Sequence, residues 1–114
     1  MIAVIFELVP EAGAAPRYFM LAEQLRTQLE SMDGFLSVER FESLAHPGRF
    51  LSLSFWRDED AVRAWRCHGM HRSAQQEGRS AVLATYRLRV ASVVRDYGLD
   101  DREAIPSDSR AALI

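Results

Sequence analysis

Apolar and polar positions along the chain follow two periods, and the switches between them mark out the elements. Residues 2–9 (Ile-Ala-Val-Ile-Phe-Glu-Leu-Val) are β-branched, aromatic and apolar on both faces, which predicts a strand covered on both sides. Pro10 ends it, and residues 11–15 read as a loop. Pro16 suits the first turn of a helix running to about Met32. In that helix Phe19, Leu21, Ala22, Leu25, Leu29 and Met32 recur at helical spacing, while Glu23, Gln24, Arg26, Gln28 and Glu30 face away. Asp33-Gly34 closes it through a left-handed turn. Residues 35–44 alternate as a second strand, with Phe35, Ser37, Glu39 and Phe41 on one face and Leu36, Val38, Arg40 and Glu42 on the other. Residues 45–48 (Ala-His-Pro-Gly) predict a four-residue hairpin loop. The third strand, 50–56, puts Leu51, Leu53 and Phe55 on one face; Phe50, Ser52, Ser54 and Trp56 make the other, a half-polar, half-aromatic surface that suits a cavity wall better than a dry core.

Asp58 is an expected N-cap, followed by acids at 59 and 60 that favour the helix dipole. Ala61, Val62 and Trp65 form the buried stripe of that helix; Gly69 breaks it, and residues 70–78 resume as a second helical segment. A last strand runs from about Leu83 to Asp96, with Tyr86, Leu88, Val90, Ser92 and Val94 alternating against Arg87, Arg89, Ala91, Val93 and Arg95. Opposed to Glu39 or Glu42, these arginines would make cross-strand pairs. Residues 1–98 thus make one domain, and 99–114 have the composition of a loose tail. The order β-α-β-β-α-β predicts an α+β, ferredoxin-like fold with a four-stranded antiparallel sheet. Two helices cover only one face of such a sheet. The other, carrying Leu51, Leu53 and Phe55, is too apolar for water, and a second copy is its economical cover, giving a homodimer.

Composition narrows the partners. The 114 residues carry a net charge of −2, so no global field draws nucleic acid or anionic lipid, and no run approaches the roughly 18 apolar residues of a membrane span. All 14 basic residues are Arg, which a GC-rich coding bias explains more simply than Arg-specific chemistry. Cys67 is alone, so no intrachain disulfide forms and a reducing cytoplasm is the simplest compartment. The opening stretch lacks a basic segment and reads as a strand, not a secretory leader.

Ser54-Phe-Trp-Arg57 at the end of strand three, followed by Asp58-Glu-Asp-Ala-Val-Arg-Ala-Trp65, resembles the antibiotic biosynthesis monooxygenase superfamily. His71-Arg-Ser-Ala-Gln-Gln-Glu-Gly78, Tyr86-Arg-Leu-Arg-Val-Ala91, Met32-Asp-Gly-Phe-Leu36 and Glu39-Arg-Phe41 extend the likeness over residues 1–97. The resemblance implies a homodimeric α/β-barrel with a pocket between the helices and the sheet of each subunit. It further implies a small monooxygenase that uses no bound cofactor and acts on an electron-rich aromatic or quinol. The superfamily also holds haem-degrading enzymes and proteins without known substrates, so two alternatives stand beside it: a non-catalytic dimeric binding or stress-associated protein, and a haem-binding or haem-degrading protein.

Each candidate residue has an ordinary reading as well. Core packing accounts for Trp65, yet the matching Trp of the family borders the cavity, where its face would stack on an aromatic ring. His71 is a surface-helix histidine or the group that accepts a phenolic proton near neutral pH. Arg72 and Gln75, one turn apart, are a solvated helix face or the donors that hold a phenolate. His68 is a weaker binding candidate, and Tyr86 has a core ring with its hydroxyl at a cavity edge. Trp56 is packing support, His46 a solvent-facing turn residue, and Cys67 and Met70 core or gap-filling residues. His68 and His71 share the i, i+3 spacing of a metal pair, but no third ligand joins them, so no metal is expected. The haem-degrading branch carries the pattern Trp-x₂-Ser-x₂-Phe-x₂-Ala-His. Aligned on Trp65, its axial His falls on Gln75, a poor ligand for ferric iron, so no haem is expected either.

Overall fold

The computed structural model describes residues 1–77 and 81–109. Four antiparallel strands and three helices follow in the order β1 (Ile2–Pro10), α1 (Ala15–Glu30), β2 (Phe35–Glu42), β3 (Phe50–Trp56), α2 (Glu59–Arg66), α3 (Gly69–Glu77) and β4 (Leu83–Ser92). The sheet order is β2-β3-β1-β4, the α+β ferredoxin-like arrangement that the element order predicts.

Local chemistry sets the boundaries. Helix α1 starts with Pro16 in its first turn and ends at Glu30, two residues short of the expected Met32. Gly34, at φ +84°, turns the chain into β2, and a Cβ there would lie 2.6 Å from the Cβ of Ala61. Only glycine suits that left-handed turn and that close approach. The Asp58 side chain caps α2 by accepting from the Ala61 N–H at 2.9 Å, as expected of an N-cap. The break before α3 falls at Cys67–His68, and Gly69 is the first residue of the new helix. Gly78, the expected end of that segment, lies outside the described residues.

The core sits between the helices and one face of the sheet: Ile2, Leu29, Trp56, Ala61, Val62 and Trp65 are buried together, with Leu25, Met32, Phe35 and Val38 packed against them. Trp56 is 1 % exposed, its ring edge-on to Phe35 at 5.4 Å and its indole N–H donating to Ser54 Oγ at 3.0 Å.

Five expectations need correction. A register shift between Phe35 and Ser37 places Phe35 opposite Trp56 and then Ser37 opposite Phe55, so Phe35 joins the helix-side face with Val38 instead of sharing Phe41's face. The hairpin connection runs from Ser43 to Arg49, because β2 stops at Glu42; Ser43 and Arg49 still share a backbone bond of 2.9 Å. Strand β4 ends at Ser92, short of Asp96. It lies beside β1, with two strands between it and β2, so Arg89 approaches Glu7 at 3.5 Å and not Glu39 or Glu42. Cys67, expected to fill a core gap, is exposed, and the Met70 side chain, expected to do the same, lies outside what the structure describes.

The second face of the sheet has no helix over it. Its central apolar positions, Leu51, Leu53, Phe55 and Ile5, are half-buried, and Phe41 is 43 % exposed. The first strand, read as covered on both sides, is therefore covered by this chain on one. In the tail Ile105 is buried, at 4 % exposure.

Candidate functional site

A cavity of about 420 Å³ opens between the helices and the covered face of the sheet, a volume suited to a small organic ligand. Its floor follows from strand pairing. Register places Arg40, Ser52, Phe6 and Leu88 in one row across the four strands, and Val38, Ser54, Val4 and Val90 in the next. All eight line the cavity, as does Trp56 at the end of β3. The alternation that puts serines and aromatics on this side of β3 therefore builds a wall with polar points in an apolar surface. The roof is Tyr18, Ala22, Leu25 and Leu29 of α1, one stripe at helical spacing, with Val62 and Trp65 of α2 and His71 of α3.

The structure brings Trp65, His71, Arg72, Gln75 and Tyr86 to this one cavity. The His71 ring lies 4.9 Å from that of Trp65, tilted by 31°. Its Nδ1 is buried without a hydrogen-bond partner. Burial holds the imidazole below its ordinary value of 6.5; the Arg66 backbone carbonyl opposes this, while the positive charge of Arg72 reinforces it. The ring is neutral at physiological pH, which is the form that accepts a proton. Arg72 and Gln75 are exposed at the mouth, and an Arg72 nitrogen approaches Cys67 Sγ at 3.8 Å. Tyr86 is half exposed; its ring meets Phe6 at 5.6 Å.

His68 stands apart from that group. Its ring stacks on Trp65 at 5.5 Å, but it lines a separate outer groove between α1 and α3 with Arg17, Gln24, Ser73 and Glu77. Across that groove the Arg17 guanidinium grips the Glu77 carboxylate through two nitrogens, one bond being 2.6 Å, and clasps α1 to α3. His46 is exposed in the hairpin loop and lines neither the cavity nor the groove.

Tyr18 and Arg40 are the cavity residues that sequence reasoning passed over. Tyr18 is one turn before Ala22 on the buried line of α1, and Arg40 is two residues from Val38 on the covered face of β2; those spacings were the available signals. Burial raises the Tyr18 phenol above its ordinary value, and a hydrogen bond from the Arg40 guanidinium partly offsets that, so the hydroxyl stays protonated at neutral pH. The Arg40 Nε is buried with no partner, an arrangement that costs about 1–3 kcal/mol or more when the donor is charged. Among the described residues, no three His, Cys, Asp or Glu side chains converge as a metal site requires, and no helix is long and apolar enough to cross a membrane.

The family model described as antibiotic biosynthesis monooxygenase matches residues 1–77. A Pyricularia oryzae protein named jasmonate monooxygenase ABM is 46 % identical over 93 residues, which cover 82 % of this chain and 43 % of that protein. The chain thus spans less than half the length of that relative. The uncharacterized protein YqjZ of Bacillus subtilis is 36 % identical over 93 residues, 82 % of this chain and 79 % of its own. Among solved structures, Rv0793 of Mycobacterium tuberculosis superposes with a TM-score of 0.76 at 18 % identity, over 85 % of this chain and 98 % of that one, a likeness of fold.

Proposed function

Because the chain belongs to the antibiotic biosynthesis monooxygenase family, we propose that it is a monooxygenase working without a bound cofactor on an electron-rich aromatic or quinol held in the helix–sheet cavity. The observation that carries this reading is the pairing of Trp65 with a neutral, half-buried His71 whose buried Nδ1 has no partner among the described residues. Trp65, its ring already packed by His68 and His71, borders the cavity and offers the remainder of its surface to the substrate ring. His71 Nδ1 takes the phenolic proton, and Arg72 or Gln75 at the mouth holds the resulting oxyanion. The phenolate then gives electrons to dioxygen. A quinol plus dioxygen yields a hydroxyquinone plus water, so the substrate supplies every electron. The apolar wall keeps water from the reactive intermediate.

Assembly supports the same reading. The uncovered face, with Leu51, Leu53, Phe55 and Phe41, is apolar enough that a second copy of this chain is its natural cover, giving a homodimer. The relative named for jasmonate adds jasmonate to the quinols as a compound to assay.

The test is oxygen uptake with a quinol panel. His71→Ala should lower turnover by ~10²-fold with an unchanged circular dichroism spectrum, and His46→Ala should leave it unaltered. Equal rates for the two variants would remove His71 from the chemistry. Binding without turnover in the unmodified protein would favour a binding protein over an enzyme.

A further inference from the structure

Among the described residues three arginines, Arg40, Arg66 and Arg72, line the cavity, and no carboxylate does. They are not equivalent. Arg66 and Arg72 are exposed side chains on α2 and α3, free to turn to solvent. Arg40 is half-buried on β2, and its Nε is wholly removed from solvent with no acceptor among the described residues. Its guanidinium donates to the Tyr18 hydroxyl. Register puts Ser52, another cavity residue, directly beside it on β3. The nearest acid on the same face of β2, Glu42, is turned to the hairpin and accepts from the Gly48 N–H at 3.0 Å, so it does not answer the Arg40 charge. A planar cation with an unmet donor, held between a hydroxyl and a serine on an apolar floor, is matched by a planar anionic oxygen pair.

Resting on the monooxygenase reading above, we propose that Arg40, with Tyr18 and Ser52, is an anion subsite that receives the carboxylate of the substrate, making the substrate class an acid carrying its reactive ring elsewhere in the molecule. A turn of the Arg40 side chain as the ligand enters opens Nε, which is closed to solvent in this structure; the ligand oxygens accept from it and a terminal nitrogen, and the Tyr18 hydroxyl, protonated at neutral pH, donates to the same group. Arg40 then selects which molecules enter and in which direction, while His71 handles the proton. A neutral quinol still fits the cavity, but it leaves the buried donor unmet and binds less tightly.

Isothermal titration with matched pairs decides it: 4-hydroxybenzoate against 4-hydroxybenzamide, and 6-hydroxy-2-naphthoate against 6-hydroxy-2-naphthamide. The acid of each pair should bind at least ~10-fold more tightly than its amide, the gain expected of a charge-assisted bidentate contact. Arg40→Gln should erase the preference while the amide still binds, and Arg40→Lys should restore part of it. Arg63→Gln, which removes an exposed charge outside the cavity, should preserve it. Equal binding of acid and amide by the unmodified protein, or a preference that survives in Arg40→Gln, overturns the subsite and leaves the monooxygenase reading standing. Failure of both members of both pairs to bind overturns the two together.

Discussion

The two faces of the sheet come from the same four strands and differ in what covers them. On the helix side, alternate residues make a floor in which Arg40, Ser52 and Ser54 interrupt aromatic and aliphatic side chains, and helices close it into a cavity. On the other side the intervening residues, Leu51, Leu53 and Phe55, make an apolar stripe bordered by the Glu7–Arg89 pair, and among the described residues no helix covers it. A period of two therefore lets one strand build a cavity floor and an apolar outer surface at once, each able to change without the other.

The largest effects should fall on opposite sides of this divide. Trp56→Ala empties the best-packed site of the covered face and should lower stability by about 3–5 kcal/mol at any protein concentration. Leu53→Glu should leave that packing intact, convert the protein from a dimer to a 12.9 kDa monomer in sedimentation equilibrium, and abolish the concentration dependence of its melting. A Leu53→Glu protein that stays dimeric would mean that the uncovered face is not the interface.

A smaller effect belongs to pH and to the covered face alone. The folded chain resists protonating His71, whereas the unfolded chain binds that proton near 6.5. Stability from this group is therefore full above 6.5 and is lost as pH falls through the lower folded value. Asp33, Asp58 and Glu77, each held below its ordinary carboxylate value by hydrogen bonds, lose their contributions in a separate, more acidic window. Melting temperature should drop between pH 7 and 5, and His71→Phe should flatten that drop; an unchanged slope would place His71 in contact with solvent.

Local pattern made much of this legible. The alternation in β3 separates Ser52, Ser54 and Trp56 from Leu51, Leu53 and Phe55, and the spacing 61, 62, 65 marks the buried stripe of α2. Asp58 and Gly34 announce a cap and a turn through chemistry confined to a few residues. What stayed hidden depends on relations between distant segments. The shift between Phe35 and Ser37 has no signature in composition, and it reverses the side on which Phe35 lies. Arg89 meets Glu7 because β4 returns beside β1, a matter of strand order and not of any pattern within β4. Tyr18 and Arg40 are 22 residues apart and become a pair only when α1 packs over β2. Within the candidate site, the helix carrying His71 and Gln75 was visible from its polar character, while the buried guanidinium opposite was not.

The central claim, that the cavity on the covered face is where ligand binds, is met most directly by crystals soaked with a panel of quinols and hydroxyaryl acids. Electron density is expected against the Trp65 ring, with a hydroxyl oxygen within hydrogen-bond distance of His71 Nδ1. Density confined to the outer groove between Arg17 and Glu77, or to the Leu51–Phe55 face, would contradict it.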